Sequence, residues 1–156
     1  MKFDDLVRAM QPKFPQLTAA NSRPTSPYDE GYNCIAWAAD DTDRWWEPDP
    51  LFQQYWPPSV PREYTLDAFV RAYGLQGYIE RCNATVEMGK QKVAIYTASS
   101  GKPTHAARQL PDGWWASKLG REIDIEHEFE ALDGPMYGTV AVILARPAKQ
   151  HSMSGK

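Results

Sequence analysis

The chain has 156 residues, 42% of them hydrophobic and 24% charged, with two cysteines and a formal net charge of -3. That length holds one core and not two, the composition excludes a disordered chain, and two cysteines are too few for a disulfide scaffold. Lys and Arg are scattered along an acidic chain, which excludes the dense positive face that a phosphate backbone requires, so no nucleic-acid partner is expected.

At the N-terminus, Asp4 and Asp5 interrupt the stretch where a signal peptide keeps a continuous apolar core. No run reaches the roughly 18 to 20 apolar residues of a membrane span. The expectation is a cytoplasmic protein with no membrane partner. Phe3, Leu6, Val7 and Met10 stand at helical spacing, and Pro12 and Pro15 then end the pattern. Residues 16–30, rich in Ser, Pro and Asn, read as a loop.

Asn33 is an N-cap for the short apolar run CIAWAA, which sets Cys34 in the first turn of a helix. Residues 43–61 place Trp45, Trp46, Tyr55 and Trp56 among five prolines, so they read as an aromatic loop wrapping the core with at most one helical turn. A helix is predicted over 65–78, opened by Thr65, with Leu66, Phe69, Val70 and Tyr73 on one face and Gly74 and Gly77 as stops. Cys82 reads as an inward strand residue or an inert thiol.

The β-branched and aromatic content of residues 92–99 predicts a strand. HAARQL and WWASKLG flank the turn signature PDG, so residues 105–119 predict an antiparallel hairpin. If PDG forms a three-residue loop, Ala107 opposes Ser117, and His105 and Ser117 share a face; a two-residue loop brings Lys118 there instead. Residues 123–132 are predicted helical, 137–146 a final strand, and 147–156 a disordered tail. The expected layout is one α+β domain over 1–146, with N-terminal helices packed on one face of a small antiparallel sheet.

A thiol at a helix start has its pKa lowered from roughly 8.5 toward neutrality by the free N–H groups there, which makes Cys34 a candidate nucleophile. Of the three histidines, His151 lies in the tail, and His105, at the start of a strand, is the candidate base. Ser117 is the candidate to orient the imidazole, with Gln109 and Asp124 as other polar neighbours. The alternative is that Cys34 is a small core residue or half of a Cys34–Cys82 bridge. His127 stands three positions after Asp124, so one helical turn pairs them, in a structural role. No Cys or His pair shows zinc-ligand spacing, and no metal or cofactor is expected. Trp45, Trp46, Tyr55 and Trp56 are candidates to line a substrate site, or else they cap the core. Arg108 and Lys118 are candidate anion-binding groups, with solvated strand positions as the default.

The segments NCIAWA, WW…YWPP and THAARQLPDGWWASKLG…DIEH…YG resemble the defining segments of a bacterial family of uncharacterised domains, over nearly all of residues 31–146. The chain order of Cys-helix, His-strand and polar strand is also similar to the papain-like superfamily, in particular NlpC-type cysteine peptidases and amidases. That resemblance implies a papain-like fold, with Cys34 as nucleophile, His105 as base and Ser117 in the third position. The expected function is a cysteine hydrolase or acyl transferase acting on a small-molecule or peptide substrate. The alternative is a non-catalytic binding domain of the same fold that grips a partner with its aromatic loop.

Overall fold

The computed structural model describes residues 3–26, 32–119 and 124–148. Three short helices, α1 (Phe3–Met10), α2 (Cys34–Ala38) and α3 (Leu66–Gly74), accompany seven strands. The strands are β1 (Ser22–Ser26), β2 (Glu80–Arg81), β3 (Lys90–Thr97), β4 (Pro103–Gln109), β5 (Trp115–Lys118), β6 (Asp124–His127) and β7 (Thr139–Pro147). They form one sheet in the order β1-β6-β5-β4-β3-β7-β2, with every neighbouring pair antiparallel.

The sheet is buried on both faces. Val93, Ile95, Ala106, Val142 and Leu144 pack under α2, α3 and the aromatic loop, whereas Ala94, Tyr96, Ala107, Trp115, Ile125 and Ile143 pack under α1 and the segment holding Phe14 and Leu17. These sets interleave along each strand because successive side chains point to opposite faces. We call them the α2 face and the α1 face.

This architecture corrects the expected one. The sheet is the body of the molecule and not a small platform, the helices are short, and they lie on both of its faces instead of one. A papain-like arrangement of N-terminal helices against a small sheet is therefore not what these residues form. One reason is that residues 123–132, predicted helical, contain β6. Ile123 and Ile125 alternate with Asp124 and Glu126, a period of two that β-branched residues satisfy on a pleated sheet better than in a helix. The Asp124–His127 pairing of a helical turn is lost with it, because residues three apart in a strand face opposite ways. A second reason is β1, which adds an edge strand within the predicted loop 16–30 by pairing with β6. Edge strands tolerate Pro24, whose missing N–H is needed least there.

The helices form where their caps predict. Thr65 accepts from the Ala68 N–H at the start of α3, and Asp4 and Asp5 face the positive end of α1. The final strand ends at Pro147, and the Ala148 N–H donates to the Gly89 carbonyl at 2.8 Å, so the fold extends past residue 146. The predicted tail otherwise lies outside the described residues. Gly138 is held at φ +78 against Thr97, where an added Cβ would lie 2.0 Å from the Thr97 carbonyl oxygen. Among the described residues no helix is long and apolar enough to cross a membrane.

The link between α2 and the aromatic loop is Asn33, which is 3% exposed. Its Oδ1 accepts from the backbone N–H groups of Ala36 and Trp46, both at 3.0 Å, and its Nδ2 donates to the Trp46 carbonyl at 2.8 Å. One side chain thus caps the helix and pins the loop. Asn33→Ala loses a cap worth about 1 kcal/mol and leaves both Trp46 backbone groups unpaired in the core, a loss of about 3 kcal/mol in all. Asn33→Asp keeps the acceptor and loses the donor, so urea unfolding should rank wild type above Asn33→Asp and both above Asn33→Ala.

Candidate functional site

Cys34 begins α2 as predicted, but the helix has only five residues and the thiol is 8% exposed. Burial, aided by the Glu47 carboxylate, pushes the thiol up to about 11, against the lowering effect of the Ala106 amide. Both cysteines are free. The Cys34–Cys82 bridge is therefore not made.

The alternation along β4 decides where His105 lies. Ala106, which touches the thiol, belongs to the α2 face, so His105 points to the α1 face. There it stacks on Tyr137 with ring centroids 4.1 Å apart and meets the Tyr96 ring edge-on at 5.2 Å. Cys34 and His105 thus stand on opposite sides of the sheet, and the structure does not bring them together.

His105 and Ser117 it does bring together. The pairs Arg108↔Ala116 and Gln109↔Trp115 set the hairpin register that carries Ala107 opposite Ser117, as a three-residue PDG loop requires. Ser117 Oγ lies 2.9 Å from His105 Nε2 and 2.7 Å from His127 Nε2, which β6 supplies from the neighbouring strand. His127 Nδ1 lies 2.8 Å from the Glu128 carbonyl oxygen.

These contacts fix the protons. Burial lowers His105 well below the usual histidine range and His127 to about 4, so both rings are neutral at pH 7. The Glu128 carbonyl can only accept, so His127 carries its proton on Nδ1 and accepts on Nε2. Ser117 therefore donates to His127, and His105 Nε2–H donates to Ser117. The chain of donors leaves His105 Nδ1 as a bare acceptor, buried and without a hydrogen-bond partner among the described residues. Ser117 is 1% exposed and both imidazoles 0%. The relay cross-braces β4, β5 and β6 inside the α1-face core.

Lys118 and Asp124 occupy the α2 face as an ion pair at 3.5 Å, with Lys118 Nζ 4.9 Å from the Tyr32 ring centroid. Arg108 lies over the Trp37 ring and pairs with Asp40 at 3.3 Å. Gln109 is tied to the Ala84 carbonyl at 2.7 Å. Among the described residues no group of three His, Cys, Asp or Glu side chains is placed to hold a metal ion.

The aromatic loop divides unexpectedly. Trp46 and Trp56 are buried: Trp46 packs on Tyr55 at 5.2 Å, and Trp56 on Phe69 at 5.1 Å, with both indole N–H groups donated to Asp41 and Pro61. Trp45 and Tyr55 are half-buried, and Arg44 covers the Tyr55 ring at 3.5 Å. The exposed large hydrophobic residues of the loop are two that the aromatic pattern does not single out, Leu51 and Phe52, 74% and 75% exposed at its tip.

That tip is fixed from below. The Asp49 carboxylate accepts from the Gln53 N–H at 2.8 Å and the Gln54 N–H at 3.0 Å, which with Arg62 hold it below the usual range. Arg62 donates to Asp49 Oδ1 and to the carbonyls of Glu47, Asp49 and Gln54 at 2.9 to 3.3 Å. Its guanidinium also lies 4.3 Å from the Phe52 ring centroid. The Tyr64 hydroxyl donates to Glu47 at 2.6 Å, closing the base of the loop. Phe52 adopts φ +57, a left-handed backbone that a bulky residue rarely takes. The available sequence signal is PDPLFQQ, an apolar pair between Asp-Pro and Gln-Gln in a segment too punctuated by proline to form a strand or helix.

Over residues 23–145 the chain matches the family described as Domain of unknown function (DUF7689), and it belongs to that family. No curated protein and no solved structure matches it, so the papain-like resemblance has no structural relative to rest on.

Two measurements check this site. Both histidines have folded pKa values below the unfolded one, so the unfolded chain binds protons first and stability falls as pH drops below about 6.5. With His127 at about 4, that residue alone removes about 2 kcal/mol between pH 7 and pH 5, and His105 adds to it. Urea midpoints across that range should show the slope, and the His105→Gln/His127→Gln double variant should flatten it. In alkylation of the native protein at pH 8 followed by mass spectrometry, Cys82 should be modified and Cys34 spared until urea unfolds the chain.

Proposed function

We propose that this member of the family is a protein-docking domain that seats the Leu51–Phe52 tip in an apolar pocket of a partner protein. The observation that carries the reading is the combination at residue 52: a large apolar side chain, mostly in water, on a strained backbone that Arg62 and Asp49 hold rigid.

Folding alone gives no reason for that combination. A left-handed conformation costs a non-glycine residue about 1 to 2 kcal/mol, and leaving Phe52 in water forgoes about 1.5 to 3 kcal/mol of burial. Strained positions of this kind persist where the surrounding structure over-determines them, and they cluster at binding sites. A tip already ordered in the free protein loses little conformational entropy on association, so its apolar area converts efficiently to affinity. Asp49 neutralises Arg62 beneath the tip, so the clamp adds no net charge under the apolar pair, and a pocket of apolar lining suits it. The cysteine hydrolase reading draws no comparable support, because the thiol and the imidazole it requires lie on opposite faces.

The test places the photo-crosslinking residue p-benzoylphenylalanine at position 52 in cells of the source organism, with position 71 on the exposed side of α3 as the control. A single protein adduct at 52, absent at 71 and lost when Leu51→Ser is added, is expected; equal adducts at both positions, or one indifferent to Leu51→Ser, would sink the reading. Phe52→Asn, a residue that tolerates left-handed backbone, should abolish docking while leaving stability unchanged or raised by up to about 1 kcal/mol in thermal unfolding.

A further inference from the structure

On its β2 side the sheet ends in a partly unpaired edge. β2 lies beside β7 only at Leu144 and Ala145, and the Cys82 N–H extends the pairing by one bond, to the Ile143 carbonyl at 3.0 Å. Among the described residues no strand lies outside residues 139–142 of β7, and a groove of about 350 Å³ runs there instead, lined also by Cys82, Phe129 and Asp133. We propose that this edge binds an extended segment of a partner protein, added to the sheet as a strand in line with β2 and carrying a lysine or arginine opposite Asp133. The site is independent of the Leu51–Phe52 tip.

Strand addition draws affinity from main-chain hydrogen bonds and specificity from alternate side chains, and the edge offers both. Ile143 turns its carbonyl outward to Cys82, and both side chains pack on the α1 face. Val140 shares that face, because the pairs Ile95↔Val142 and Tyr96↔Val140 leave Ala141 as an extra, bulged residue between them. Phe129, Val140 and Ile143 thus give the groove an apolar lining on one face of the sheet. In an incoming strand that continues the Cys82 pattern, the residues facing this lining direct their N–H groups toward β7, and those between them point away.

Asp133 specifies the charge of that strand. It is half-buried, its carboxylate meets no cation or hydrogen-bond donor among the described residues, and burial with Glu130 nearby pushes its pKa up. An ammonium or guanidinium brought by the incoming strand relieves both effects. A second copy of this chain does not. Pairing two such edges brings their Asp133 and Glu130 carboxylates into one interface, and the bulge at Ala141 bends the edge away from the flat geometry that copies use to pair.

The probe is the peptide Thr-Val-Thr-Lys-Thr-Val, blocked at both ends, which sets its valines and lysine on one face of a strand. In NMR titrations of the full chain it should shift the amides of Val140 and Ile143 saturably and slow the alkylation of Cys82. Glutamate in place of the peptide's lysine should weaken binding about tenfold, since the exchange turns an attraction into a repulsion. Asp133→Asn removes a carboxylate that has no bond to lose, so the fold should persist by circular dichroism and the two peptides should bind equally. Methylating the main-chain nitrogen of the peptide's lysine should abolish binding, whereas methylating that of the preceding threonine, which points away from β7, should leave it unchanged. No saturable shift with the lysine peptide, equal affinity for the two peptides in the wild type, a charge preference that survives Asp133→Asn, or equal effects of the two methylations would each overturn the assignment. So would a dimer in sedimentation whose Val140 and Ile143 amides exchange rapidly only on dilution, which would give the edge to a second copy.

Discussion

Side chains alternate along a β-strand, and in β4 that constraint separates neighbours into two different cores. Ala106 touches Cys34 under α2, while His105 and Ala107 face Tyr137 and Trp115 on the other side. Every strand near the sheet's centre is divided in the same way, because both faces are covered. Polar residues on these strands must therefore satisfy one another within a single face. His105, Ser117 and His127 do so as a directional chain, and Lys118 with Asp124 do so on the opposite face.

The same constraint explains what can and cannot be read in the sequence. α1, α3 and the β4–β5 hairpin are legible because their signals are local: caps, helical spacing, and a PDG turn whose loop length determines register. The partnership of His105 with Ser117 follows from that register. The separation of Cys34 from His105 does not, since it depends on which face α2 covers, a tertiary choice that no local pattern encodes. The stretch IDIEHEFEAL misleads for a related reason. Its acidic residues suit a helix face, yet Ile123 and Ile125 obey a period of two, and the neighbouring strands resolve the ambiguity in favour of β6. A helical turn would pair His127 with Asp124, whereas the strand delivers it to the relay beside Ser117.

The aromatic loop is legible as a loop and not as a surface. Aromatic content there signals both core and contact, and the division depends on partners that only the folded chain brings to each ring: Asn33 for Trp46, Pro61 and Phe69 for Trp56, Arg62 for Phe52. Trp46 and Trp56 become core once those partners are in place, which leaves Leu51 and Phe52 as the large hydrophobic residues the loop shows to water.

A common device recurs where the chain is irregular. Asn33 pins the start of the aromatic loop, Arg62 its tip and Lys92 the segment after β2, each by three or more hydrogen bonds from one side chain, most of them to backbone groups. Backbone in a loop has no ladder to satisfy it, and a multivalent side chain supplies that satisfaction while fixing the loop in one conformation. A protein that needed these segments only as connections would tolerate their motion. Rigid loops with exposed apolar residues are costly in water and advantageous on binding, because the ordering entropy has been met before the partner arrives. The clamps thus connect the polar interior to the surface: Arg62 holds Leu51 and Phe52 out in one conformation, and in the proposed docking role it is what readies that tip for a partner.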